Sequence, residues 1–96
     1  MNWGKIETPE ILFSKHALLR MEQRGTDEEE VIETILTGEE ISAKKGRLGF
    51  RKNYPFQSEW YYKYYQFKQV IPIVKKERNR ITVITVYVFY HGEEKS

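Results

Sequence analysis

The chain contains no cysteine, only two histidines, and no apolar run approaching a membrane span, which takes roughly 18 to 20 residues. The missing cysteine excludes disulfide scaffolds, thiolate zinc sites and cysteine nucleophiles together. His16 and His91 are too far apart for an H-x-x-x-H pair, so neither a metal nor another cofactor is expected. With 6 Gly and 3 Pro the sequence is neither collagen-like nor of low complexity, and it has no internal repeat. The first ten residues, MNWGKIETPE, lack the apolar core of a signal peptide. The expectation is a soluble, cytoplasmic protein with no membrane partner. A length of 96 residues leaves no room for a second hydrophobic core. A single domain over 1–96 is expected, ordered over about 5–91, with a frayed tail at 92–96.

What is present is enough to fold: 40% of the residues are hydrophobic and 15% aromatic. The net charge of +2 conceals an asymmetry. Residues 1–43 carry four basic and ten acidic side chains, net −6, whereas residues 44–80 carry eleven basic and two acidic ones, net +9. Lys and Arg replace condensed counterions on a phosphate chain, so the basic half fits a polyanionic partner such as RNA. It fits equally an acidic helix beside a sheet with a basic rim.

Ile11 to Phe13 reads as a short extended segment and Ser14 as the N-cap of a first helix over 15–24, which Gly25 ends. Thr26 and Glu29 have the spacing of a capping box for a second helix, in which Val31, Ile32, Ile35 and Leu36 bury one stripe up to Gly38. Beyond Gly38 the apolar period changes to that of strands. Residues 40–43 and 47–51 flank a hairpin turn at Lys44, Lys45 and Gly46, 53–59 reads as a loop, 60–74 as a strand, and 81–90 as the strongest strand. Pro72 suggests an edge, a bulge or a bend. No crossover helices separate the strands, so the fold class is α+β, with two N-terminal helices on one face of a three- to four-stranded antiparallel sheet.

Two features carry chemistry. His16, Arg20 and Arg24 stand four residues apart and form one stripe along the first helix, at the border of the face that carries Ala17, Leu18 and Met21. In the first turn the helix dipole disfavours the imidazolium, so His16 is expected neutral and able to accept a proton. The same stripe also suits plain solvation of a helix flank. The second feature is the run Trp60-Tyr61-Tyr62-Lys63-Tyr64-Tyr65-Gln66-Phe67-Lys68. Tyr62 and Tyr64 offer rings for stacking on bases, and Lys63 and Lys68 offer ammonium groups for phosphates. Aromatic residues are also good strand formers, and one face of such a strand belongs to a core.

The segment Phe13-Ser14-Lys15-His16-Ala17-Leu18-Leu19-Arg20-Met21-Glu22-Gln23-Arg24-Gly25, the acidic helix that follows it and the late Thr85-Val86-Tyr87 resemble the bacterial family of domain of unknown function 4258. Thr26 stands where that pattern usually has a hydrophobic residue, and the aromatic run from Trp60 is longer than the pattern's. The resemblance implies an α+β fold similar to RelE-like and barnase-like ribonucleases and toxins. It implies His16 and Arg20 as active residues, with Arg24 and Tyr87 beside them. The expected activity is metal-independent endoribonucleolytic cleavage of RNA by a toxin-like protein, with an antitoxin as a further expected partner. The alternative is a non-catalytic RNA- or protein-binding module.

Overall fold

The computed structural model describes residues 9–93. In chain order the elements are β1 (Glu10–Phe13), α1 (Lys15–Arg24), α2 (Glu28–Thr37), β2 (Glu39–Ser42), β3 (Leu48–Trp60), β4 (Lys63–Glu77) and β5 (Arg80–Glu93). The strands form one sheet in the order β1-β5-β4-β3-β2. The α+β class is as expected, but the sheet has five strands and is mixed rather than antiparallel. β1 runs parallel to β5, pairing Glu10 through Phe13 with Arg80 through Val83. The chain returns from the helices into β2 antiparallel to β1, and the three reversals from β2 through β3 and β4 to β5 bring β5 back into the direction of β1 beside it.

Both helices pack on one sheet face. Ala17 and Met21 from α1, Val31 and Ile35 from α2, Val70 and Val74 from β4, and Ile81, Val83 and Val86 from β5 form the buried core. Leu18, assigned to that face from its spacing, is exposed. Thr26 does not cap α2. Asp27 does, accepting from the Glu30 N–H at 2.9 Å, while the Thr26 hydroxyl donates to the Glu30 carboxylate at 2.8 Å. One residue later in the chain, Asp supplies a better acceptor at the positive helix end.

The strands differ from the expectation in length. Residues 53–59, read as a loop, belong to β3, and the register shift that accommodates Pro55 lies between Pro55 and Ser58. The aromatic run is broken by a turn, because β3 ends at Trp60 and β4 starts at Lys63. Pro72 lies in β4 between two neighbouring strands, not at an edge. The β3–β4 pairing passes from Gly49↔Ile73 to Lys52↔Val70, so the proline that lacks an N–H falls where the ladder is interrupted. Gly92 and Glu93, assigned to a frayed tail, extend β5; residues 5–8 and 94–96 lie outside the described residues.

A β-bulge next to Pro72 positions the first helix. Val74 pairs with Val83 but Ile73 pairs with Thr85, which leaves Ile84 as the extra residue of β5. Ser14 closes this irregularity. Its N–H donates to the Val83 carbonyl, its hydroxyl donates to the Ile84 carbonyl at 3.0 Å, and the same oxygen accepts from Ala17 N–H as the cap of α1. The N-terminus of α1 is thereby fixed to the bulge, as far as one side chain can fix it.

Candidate functional site

At its C-terminal end α1 is fixed by aromatic residues. The Tyr90 hydroxyl donates to the Arg24 carbonyl at 2.7 Å, and the Tyr90 ring is stacked on Trp60 at 4.8 Å with Phe56 and Tyr65 around it. Gly25 has φ +81, and a Cβ there would collide with the Tyr90 oxygen and stand 2.8 Å from the Trp60 ring. The Arg-Gly pair of the sequence therefore has a packing reason: only glycine admits both the left-handed backbone and the ring pressed against it. Burial raises the Tyr90 hydroxyl to about 12, and the Glu30 carboxylate and Tyr61 act in the same sense.

With both ends of α1 fixed, the expected stripe can be followed in space. His16 is exposed in the first turn and makes no side-chain hydrogen bond, ion pair or ring contact among the described residues. Arg20, partly buried, donates to the Gln23 side chain at 2.8 Å. Arg24 reaches the stretch of β5 that lies beyond its pairing with β1. It donates to the Val86 carbonyl at 2.7 Å and holds its guanidinium 5.1 Å from the centre of the Tyr87 ring. Of the four residues expected to form a catalytic group, Arg24 and Tyr87 are in contact; among the described residues His16 and Arg20 share α1 with Arg24 but make no hydrogen bond, ion pair or ring contact with that pair.

The four residues expected to bind substrate are dispersed. Lys68 is 11% exposed and pairs with Glu30 at 2.7 Å while donating to the Gly25 carbonyl at 2.8 Å. Its ammonium thus ties β4 to the joint between the helices. Tyr62 is at the tip of the β3–β4 hairpin and is 97% exposed, Lys63 is exposed beside it, and Tyr64 is exposed at the start of β4. The rings that face the helices are Trp60, Phe56 and Tyr90, so much of the aromatic richness belongs to the support of α1.

Placing both helices on one face leaves the other face of the sheet open, as expected; what the sequence did not assign is which residues lie on that open face. The pairs Pro72↔Val86 and Val70↔Val88 point towards the helices, so the alternate pairs Ile73↔Thr85, Ile71↔Tyr87, Gln69↔Phe89 and Phe67↔His91 point away from them. Phe67, Tyr87 and Phe89 are all exposed there. Phe67 is stacked on His91 at 5.4 Å, and His91 in turn meets Asn53 at 3.0 Å. Residues 86–90 are all apolar or aromatic, so the two faces of this part of β5 look alike in the sequence and alternation does not mark which one meets the helices. Among the described residues no cluster of His, Asp or Glu could hold a metal ion, and no helix is long and apolar enough to cross a membrane.

Two helices on one face of a mixed five-stranded sheet, with an Arg–Tyr contact where α1 meets β5, define a small α+β domain with an open sheet face. The chain belongs to the family of domain of unknown function DUF4258, whose model matches residues 13–88. That span runs from the residue before the α1 cap to the far half of β5 and includes His16, Arg20, Arg24 and Tyr87. No curated protein and no solved structure matches the chain.

Proposed function

We propose that this protein is a toxin-like, metal-independent endoribonuclease whose active group lies along α1 and the adjoining part of β5. The observation that carries the reading is the Arg24–Tyr87 contact. The Val86 carbonyl and the Tyr87 ring hold the guanidinium in place, and one donated bond leaves most of its five N–H groups for a phosphate. His16 and Arg20 extend the same polar stripe towards the helix N-terminus.

Cleavage proceeds by attack of a ribose 2′-hydroxyl on the adjacent phosphorus. A base removes the hydroxyl proton, the new O–P bond forms, the bond to the 5′-oxygen breaks, and an acid returns a proton to that oxygen. His16 serves as base or acid, Arg20 and Arg24 stabilise the charge that develops on phosphorus, and the Tyr87 hydroxyl assists proton transfer or orientation. A RelE-like or barnase-like ancestry and an antitoxin that masks the site belong to the same reading.

A non-catalytic RNA-binding module is the second reading. It is favoured by the exposed rings of the open face, which suit binding better than proton transfer. Incubating the purified protein with RNA in excess EDTA separates the two. Ends bearing cyclic phosphate should accumulate, and His16→Ala should reduce their rate by about 100-fold or more with an unchanged melting temperature, since the ring is exposed. Cleavage by His16→Ala at the wild-type rate removes the catalytic assignment, and no cleavage by the wild-type protein leaves the binding module.

A further inference from the structure

The β2–β3 hairpin turn stands over one end of the uncovered face. Lys44, Lys45 and Arg47 line a groove of about 390 Å³ whose floor includes Ile73, Thr85 and Tyr87. Among the described residues none of these three cations has an ion-pair partner, whereas Arg51 is paired with Glu39, Lys52 with Glu33, Lys68 with Glu30 and Arg80 with Glu10. The turn is also set rather than loose. Ala43 N–H donates to the Arg47 carbonyl at 3.1 Å, Arg47 N–H donates to the Lys44 carbonyl at 3.3 Å, and Lys45 adopts φ 62. A lysine in the left-handed region is uncommon, and holding it there fixes where its neighbours project.

The groove continues into the exposed rings. Tyr87 is 43% exposed and Phe89 53% exposed, and their rings lie 6.4 Å apart and within 12° of parallel. Tyr87 is both a wall of the groove and the ring beneath Arg24. Cations therefore stand on two sides of a strip of ring faces.

We propose that this face is a track for single-stranded RNA, with the phosphates held by Lys44, Lys45 and Arg47 and the bases stacked on Tyr87 and Phe89. The proposal rests on RNA being the substrate class and adds the surface that holds it, distinct from the lysines and tyrosines of the β3–β4 hairpin. Three unneutralised cations call for a polyanion, and parallel exposed rings select one that carries planar groups. A duplex is disfavoured because its bases already stack on one another and present edges instead of faces.

The test measures fluorescence anisotropy in the His16→Ala background, so that the oligonucleotide stays intact. The probes are a labelled adenosine RNA oligomer of about ten nucleotides, an RNA duplex of the same length and a polyglutamate peptide. Replacing Lys44, Lys45 and Arg47 together by Gln should weaken single-strand binding at least about tenfold and reduce the salt slope by about 2, at roughly 0.7 per phosphate contact. Phe89→Ala should weaken the single strand by about fivefold or more and leave duplex binding unchanged. Circular dichroism checks each fold, and the three single Gln variants replace the combined one if it fails to fold. Unaltered affinity in the charge variants overturns the proposal, as does equal affinity for the duplex. Polyglutamate binding as tight as RNA binding overturns it in favour of an acidic protein partner. If the oligomer binds through these residues but the wild-type protein cleaves no RNA, the track stands and the nuclease reading falls.

Discussion

Arg24 spans two surfaces of the fold: its side chain caps the Val86 carbonyl of β5 and lies 5.1 Å from the Tyr87 ring on the face the helices leave open. Its backbone carbonyl meanwhile accepts from Tyr90 on the opposite face. Few changes would separate the structural and chemical parts of this arrangement, but Tyr87→Phe is one. It keeps the ring beneath the guanidinium and removes only the hydroxyl. The melting temperature should stay within about a degree while RNA cleavage falls at least about tenfold, the lower range for loss of an acid–base contributor. An unchanged rate would assign Tyr87 to the ring contact alone.

Arg24→Ala should affect both properties. It removes a charge-assisted hydrogen bond and a ring contact from a partly buried position, a loss of about 2 kcal/mol in urea unfolding. Arg24→Lys should recover part of the stability and little of the cleavage, because an ammonium cannot span the carbonyl and a phosphate with one planar fork.

Lys68 was expected to bind substrate and is engaged inside the fold, which makes a stability test decisive. Lys68→Ala leaves the Glu30 carboxylate with the Thr26 hydroxyl and no cation at a largely buried place. A loss of about 2 kcal/mol is expected, and adding Glu30→Gln should recover some of it. A stable Lys68→Ala protein with weakened RNA binding would instead return Lys68 to the substrate surface.

Stability should fall at alkaline pH through two phenols. Tyr90 is raised from its ordinary value of 10.0 to about 12, and Tyr54 is raised as well, in each case first by burial. In both, the folded state holds the proton more tightly than the unfolded chain does. Their contribution is complete below pH 10 and is lost as the pH rises from 10 towards 12, since the unfolded phenols ionise first. Thermal melts between pH 8 and 11.5, read by circular dichroism, should show a decline that Tyr90→Phe makes shallower.

The hairpin tip carries strain that can be relieved. Tyr61 and Tyr62 have φ 50 and 70, the pattern of a two-residue turn that favours Asn-Gly. Replacing Tyr61 by Asn and Tyr62 by Gly should raise stability by about 1 kcal/mol, the gain being lessened by loss of the Tyr61–Trp60 ring contact. The melting temperature should rise by about 4 to 8 °C.

The helices were legible because their signals are local: Ser14 and Gly25 bound α1, and Gly38 closes α2. Local signals misled where two competed. Thr26 and Asp27 both suit a cap, and the structure uses Asp27. Pro55 reads as a loop residue, yet a bulge admits it into β3. The resemblance implied His16 and Arg20 with Arg24 and Tyr87 beside them; the fold brings Arg24 and Tyr87 into contact, and His16 and Arg20 stay apart from that pair. Nothing local distinguishes Lys68, locked against Glu30, from Lys44 and Lys45, which have no ion-pair partner among the described residues.

The amino-acid order by itself determined the α+β class, the two helices with their glycine ends, the Ser14 cap and the polar stripe of α1, because each depends on residues a few positions apart. The tertiary structure alone decided the parallel place of β1 and which face of β5 stays open. It also decided which of many Lys and Tyr side chains are spent on holding the fold. Those outcomes depend on pairings across about 40 to 70 positions, such as Lys68 with Glu30, Arg24 with Val86 and Ser14 with Ile84. A side chain meets such partners only after the sheet has formed.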